Sequence, residues 1–121
     1  MTWDLSSDRP IYTQLIEQIE LKICSGIYEP GTKMPSVRDL ATEAAVNPNT
    51  MQRALSELEE TGLLYSQRTT GRFVTEDINL IKKTRAKIAK EHIEQFLNRM
   101  AELGFNNEEI IEFLTNKTRG N

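Results

Sequence analysis

The sequence contains a single cysteine, Cys24, and a single histidine, His92. One cysteine cannot form a disulfide within the chain, and its place in a helical apolar pattern predicts a buried thiol rather than a nucleophile. The two residues lie far apart in sequence and do not form the paired ligands of a zinc site, and no glycine-rich phosphate-binding loop is present. We therefore predict that the protein is not an enzyme and has no metal or cofactor.

Long apolar runs are also absent. No run approaches the roughly 18 residues that a membrane helix needs. The first residues lack the basic segment and apolar block of a signal peptide. Together with the missing disulfide, these absences predict a cytoplasmic protein with no membrane partner.

The sequence also has no excess of positive charge. It contains 15 Lys and Arg and 18 Asp and Glu, which give a formal net charge of −3. Proteins that coat nucleic acid non-specifically are usually strongly basic, so this balance argues against that class. It leaves room for a specific binder whose positive groups are local. The length of 121 residues and the hydrophobic content of 38% suit one domain, or a small domain with an appendage.

Three amphipathic helices are predicted in the first half of the chain. The first begins at Pro10 and ends near Gly26, where glycine suits a left-handed C-cap. The second has Ser36 as its N-cap. The third has Asn47 as its N-cap and Pro48 at its first position. Because only about three or four residues separate the second and third helices, the pair is typical of a helix-turn-helix.

The third helix divides into two faces when its residues are placed at roughly 100° per step. The apolar face contains Met51, Ala54, Leu55 and Leu58. The polar face contains Asn49, Gln52, Arg53 and Ser56, with Thr50 on its flank. Arginine can bind guanine bidentately, and asparagine or glutamine can do so with adenine. Such a face can also be merely solvated, but its position before an arginine-bearing hairpin favours a recognition helix.

Two short strands are predicted at 63–67 and 72–75, with a hairpin tip at 68–71. Three helices followed by a hairpin have the order of a winged helix, in which Arg68 and Arg72 lie on the wing. The predicted fold class is mainly α with a small β-hairpin. Residues 1–76 form a winged helix-turn-helix, and residues 77–121 form a C-terminal helical segment.

The C-terminal segment begins with a basic helical run and continues as a heptad-like seam that ends at Gly104. A last helix follows, with Asn106 as its N-cap and Glu109 as the reciprocal partner. Two such helices cannot bury their apolar faces on each other alone, so we expect a second copy of the segment to cover them. The alternative is that they pack back on the winged helix. The predicted dimerisation residues are Ala89, Ile93, Phe96, Met100, Leu103, Ile110, Phe113 and Leu114.

Six segments resemble the GntR family of bacterial transcription regulators, in the right order and at the right spacing over residues 10–75. They are Pro-Ile-Tyr-Thr-Gln-Leu at 10–15, Gly-Ile-Tyr-Glu-Pro-Gly at 26–31, Met-Pro-Ser-Val-Arg-Asp-Leu-Ala at 34–41, Val-Asn-Pro-Asn-Thr at 46–50, Leu-Glu-Glu-Thr-Gly-Leu at 58–63 and Gly-Arg-Phe-Val at 71–74. The Val-Asn-Pro-Asn-Thr string and the short helical tail resemble the YtrA-type subfamily, which has no large effector domain and whose C-terminal helices are associated with dimerisation.

The resemblance implies DNA contacts at Arg38, at the third-helix positions Asn47, Asn49, Thr50 and Arg53, and at the wing-tip positions Arg68, Thr69, Thr70 and Gly71. Gln52 joins this set through its place on the polar face, and Arg72 through its place on the wing. The family's wing usually has the form Arg-Gly-Lys-Gly, and two threonines replace the first glycine and the basic residue here. The sequence does not separate base contacts from phosphate contacts.

The sequence therefore predicts a homodimeric repressor that binds double-stranded operator DNA of inverted-repeat form through its third helix and wing. The alternative is a winged-helix protein-interaction module that does not bind DNA. A small-molecule effector is compatible with the sequence, but no residues are identified for it.

Overall fold

The computed structural model describes residues 3–119. Within them it has five α-helices and one antiparallel hairpin, and the predicted fold class is confirmed. The elements in chain order are α1 Ile11–Cys24, α2 Val37–Ala44, α3 Pro48–Thr61, β1 Leu64–Gln67, β2 Gly71–Val74, α4 Ile78–Glu102 and α5 Asn107–Thr118.

The helices of the winged helix begin where their capping residues predict. The Ser36 side chain accepts a hydrogen bond from the backbone N–H of Asp39 at 3.1 Å. The Asn47 side chain accepts one from Asn49 at 2.8 Å, and Pro48 occupies the first turn of α3. These oxygens satisfy N–H groups that lack a partner within the helix, so the caps set where α2 and α3 start.

Side chains from α1, α2, α3 and the hairpin form one hydrophobic core. Leu15 and Ile19 of α1 and Leu55 and Leu58 of α3 are almost fully buried in it. Ile81, near the start of α4, joins the same core. The burial of these side chains sets the rotation of each helix and leaves the polar side of α3 in solvent.

A third extended segment, residues 31–34, runs beside the hairpin. The N–H of Met34 donates to the carbonyl of Arg72 at 2.8 Å, and the N–H of Val74 donates to the carbonyl of Thr32 at 2.9 Å. Lys33 and Phe73 form an antiparallel bridge between these two bonds. The sequence indicates only a turn at 28–32, because Gly31 and Pro35 leave too few residues for a strand pattern.

The strand boundaries differ by one residue from the predicted ones. Leu63 precedes β1, and Gly71 pairs with Gln67 as the first residue of β2 instead of belonging to the tip. Gly71 has φ +116°, a backbone conformation that residues with a Cβ rarely adopt.

The polar leader before α1 is held by α1 side chains. The buried amide of Gln14 donates to the carbonyls of Ser6 at 2.8 Å and Arg9 at 2.9 Å. The ammonium of Lys22 lies 3.3 Å from the centre of the Trp3 ring. Burial lowers the pKa of Lys22 because it removes water from the ammonium group. The aromatic ring replaces part of that lost hydration.

Cys24, at the end of α1, is half-buried instead of fully buried as its sequence pattern predicts. Its thiol lies 3.9 Å from the carbonyl oxygen of Ile81. Burial is the main cause that raises the pKa of this thiol, which keeps it protonated at neutral pH.

The chain divides into two compact units, the first ending at Arg85 and the second beginning at Ala86. The predicted functional division at residue 76 precedes α4, whereas the first unit includes the start of α4 because Ile81 belongs to its core. The boundary at 76 remains a prediction about function.

The second unit contains the remainder of α4 and all of α5. Asn106 and Glu109 form the predicted capping box, with bonds of 2.9 and 3.0 Å. The rings of Phe105 and Phe113 meet edge to face with 5.3 Å between their centres. These contacts define the turn that leads from α4 into α5.

Across residues 3–119, no helix is both long enough and apolar enough to cross a membrane.

We expect Leu55→Ala to lower the free energy of unfolding by about 2–5 kcal/mol, because it leaves a cavity in a close-packed core. Urea denaturation followed by circular dichroism measures this loss. Leu21→Ala is the matched control, since Leu21 is 54% exposed, and should cost far less. Equal losses in the two variants would contradict the assigned core.

Candidate nucleic-acid interface

The outward side of α3 presents hydrogen-bonding side chains at its N-terminal end. Asn49, Gln52 and Arg53 are exposed and Thr50 is half-buried. The amide of Gln52 donates to the hydroxyl of Ser56 at 3.2 Å, one turn further along. The first turn of α3 contains no acidic residue, so the positive end of the helix dipole is not neutralised by its own side chains.

Arg53 is held by an aromatic ring from α1. Its guanidinium carbon lies 3.6 Å from the centre of the Tyr12 ring. A cation over a ring face is attracted by the ring quadrupole, and stacking leaves the N–H edges of the guanidinium available for other partners. Tyr12 therefore orients Arg53, a predicted DNA-contact residue, without using its N–H donors.

Tyr12 was missing from the predicted site because the sequence places it in the apolar stripe of α1. The structure leaves it half-buried at the start of that stripe. A tyrosine at the end of an apolar stripe is a weak signal for such a role, since tyrosine commonly has an apolar body and a polar tip.

Arg72, a predicted DNA-contact residue of the wing, is paired with an acidic side chain of α3. Its Nε lies 3.0 Å from Oε1 of Glu59 on α3, and the two side chains are 18% and 28% exposed. The hydroxyl of Ser66, opposite Arg72 in the hairpin, also bonds to Glu59. Glu59 thus ties both strands of the wing to α3.

The tip of the wing, residues 68–70, is exposed, and so is Gly71 at the start of β2. Thr69 has φ +68°, which is uncommon for a β-branched residue. The hydroxyl of Thr70 lies 3.3 Å from the side-chain oxygen of Gln67. The predicted tip is therefore a tight turn with one cation, Arg68, in it.

An open groove of about 750 Å³ separates the wing from the start of α2. Ser36 and Asp39 contribute to one wall, and Gln67, Thr70 and Gly71 contribute to the other. Lys33 also lines this groove, although the sequence predicted no role for it. The predicted residue Arg38 is exposed on α2.

The predicted dimerisation residues divide by exposure within the chain. Ile110 is buried, at 3% exposure, and Met100 is half-buried. The other six are exposed: Ala89, Ile93, Phe96, Leu103, Phe113 and Leu114. Ile110 therefore contributes to the packing of the chain itself and leaves little surface for a partner.

Among residues 3–119 no group of three or more His, Cys, Asp or Glu side chains is arranged to hold a metal ion.

Residues 11–74 match the sequence profile described as bacterial regulatory proteins, gntR family. The chain belongs to the GntR family. This is a family of transcription regulators and not of enzymes, and its winged helix is a DNA-binding domain. The resemblance predicted from the six sequence segments is confirmed.

The HTH-type transcriptional repressor YtrA of Bacillus subtilis strain 168 is 37% identical over 95 residues, covering 78% of this chain and 73% of YtrA. A GntR family transcriptional regulator from Listeria monocytogenes has a solved structure that is 44% identical. It covers 93% of this chain and 98% of that one, with a TM-score of 0.86. The similarity to both proteins extends beyond the winged helix.

The DNA-binding domain of AraR has been solved in complex with operator ORX1. It is 33% identical, covers 62% of this chain and 92% of that chain, and has a TM-score of 0.54. Its similarity lies within the part of the fold that AraR uses on DNA.

We expect Glu59→Gln to destabilise the protein by about 1 kcal/mol, because it weakens a partly buried charge-assisted bond between α3 and the wing. Glu60→Gln, at the exposed neighbouring position, is the control and should change stability little. Urea denaturation of the two variants measures the difference. A variant of Glu59 as stable as the parent would argue against this link.

Proposed function

We propose that the protein is a homodimeric repressor that binds an operator of inverted-repeat form. Each subunit lays the N-terminal end of α3 in a major groove and places its wing beside it. The observation that carries this proposal is the outward polar face of α3, on which Arg53 is oriented by Tyr12. The operator complex of AraR and the repressor YtrA support the assignment.

The chemistry of α3 supports contacts with base edges. Arg53 keeps both of its terminal nitrogens available for guanine, and the amides of Asn49 and Gln52 match the edge of adenine. Thr50 and the capping residue Asn47 lie at the helix start, where backbone N–H groups and the helix dipole favour phosphate. In this proposal the exposed side chains of α3 determine sequence specificity, and the phosphate contacts at the start of α3 position the protein on the DNA.

The remaining predicted contacts have unequal roles. Arg38 and Arg68 are exposed cations and suit phosphate contacts, as the hydroxyls and backbone of the wing tip do. Arg72 is neutralised by Glu59, so we assign it to holding the wing against α3.

Dimerisation is supported by the apolar surface of the second unit. Ile93, Leu103 and Phe113 are more than half exposed, and soluble proteins rarely leave such groups together in water. A two-fold dimer buries the same patch twice, and its symmetry matches two half-sites in opposite orientation. This explains why we expect an inverted repeat.

We expect Arg53→Ala to weaken binding to operator DNA by about 1–3 kcal/mol and to relax selectivity at one base pair, because a bidentate contact is lost. Mobility shifts on the DNA upstream of the protein's own gene, against unrelated duplexes, measure both effects. Arg99→Ala, an exposed arginine of α4, is the control. If Arg53→Ala bound as tightly and selectively as the parent, the recognition assignment would be wrong.

We expect Phe96→Asp to convert the dimer to a monomer, because it places a charge in an apolar interface. Gln95→Asp is the control, since Gln95 is an exposed polar residue one step around the same helix. Sedimentation velocity measures the oligomeric state, and operator affinity should fall with it. A Phe96→Asp protein that stayed dimeric would contradict this interface.

A further inference from the structure

The wing of this protein has little free positive charge of its own. Arg72 is paired with Glu59 at 3.0 Å, and the tip residues Thr69 and Thr70 are neutral. Within residues 3–119, Arg68 has no ion pair, and it is the hairpin's remaining cation. A wing that approaches a phosphate backbone with one cation gains little from electrostatic attraction.

Lys33 lies beside the wing without belonging to it in sequence. Its bridge with Phe73, flanked by the backbone bonds of Met34 and Val74, holds it as a neighbour of β2. Bridge partners direct their side chains to the same face, and Gly71 lies on that face two residues nearer the tip. The backbone pairing therefore brings the lysine next to the wing's first β2 residue.

Gly71 leaves room for the lysine side chain. A Cβ at Gly71 would lie 3.1 Å from Cε of Lys33 and 3.9 Å from its Nζ. The aliphatic stem thus passes over the glycine, and the ammonium is carried toward the wing tip. The positive φ of Gly71 also favours glycine there.

The lysine borders the open groove between the wing and the start of α2. It is exposed, and it has no ion pair among residues 3–119. Asp39 lines the same groove, and no bond joins the two side chains. The ammonium is therefore available to an anion that enters beside the wing.

We infer that Lys33 is a phosphate contact that supplies the wing with positive charge from outside the hairpin. The inference rests on the proposed function and adds to it a residue outside both α3 and the wing. Because the contact is to phosphate, it strengthens binding to operator and unrelated duplexes alike.

The test compares Lys33→Gln, Lys33→Arg and the parent by fluorescence anisotropy on operator and unrelated duplexes, between about 50 and 200 mM salt. We expect Lys33→Gln to reduce the slope of log K against log salt by about 0.9 on both duplexes, the value for one lost phosphate contact. Lys33→Arg should keep the parent slope. Lys83→Gln, an exposed lysine of α4, is the matched control and should also keep it.

An unchanged slope in Lys33→Gln would overturn the inference while the parent still bound its operator. An equal reduction of the slope in Lys33→Arg or in Lys83→Gln would overturn it as well, because the reduction would then not be due to the loss of a positive charge at residue 33. A parent that bound neither duplex would instead refute the proposed function, and this inference with it. Thermal unfolding of each variant confirms that the exposed substitutions leave the fold intact.

Discussion

Burial of one side of α3 is the constraint on which the rest of the structure depends. Met51, Ala54, Leu55 and Leu58 recur at three- and four-residue spacing and are almost fully removed from water. Since a helix is rigid about its axis, burying this side determines which residues face outward. The same packing that stabilises the winged helix therefore presents Asn49, Gln52 and Arg53 to solvent. The exposure of the residues predicted to recognise DNA is therefore a consequence of core formation.

The shortage of positive charge makes the position of each cation important. With a formal net charge of −3, the protein gains no general attraction to DNA, so binding depends on local groups. Two of these cations have different surroundings: Arg53 stacks on the Tyr12 ring and keeps its N–H donors available, whereas Arg72 forms an ion pair with Glu59. Counting the arginines of the wing would therefore overstate its unpaired positive charge.

Most of the helical fold was predictable because its signals are local. Asn47 with Pro48, Ser36, and Asn106 with Glu109 mark helix starts by contacts within a few residues. The spacing of apolar residues then predicts the helices that follow those starts. The pattern also separated the buried from the exposed side of α3 correctly.

What could not be predicted depends on contacts between residues far apart in sequence. The pairing of residues 31–34 with β2 has no pattern of its own, because the segment is too short and lies between Gly31 and Pro35. The stack of Arg53 on Tyr12 and the bond of Arg72 to Glu59 require the helices and hairpin to be packed first. The binding roles of the candidate residues and the functional boundary at residue 76 stay predictions.

The half-buried thiol of Cys24 has a consequence for chemical measurements. It lies at the end of α1 against the carbonyl of Ile81, and burial keeps its pKa above the ordinary value. The thiolate is the reactive form, so modification by a thiol reagent is slow while the contact is closed. A faster modification would therefore indicate that the contact between Cys24 and the start of α4 has opened. The chain thus contains its own probe for the opening of the region where α4 joins the winged helix.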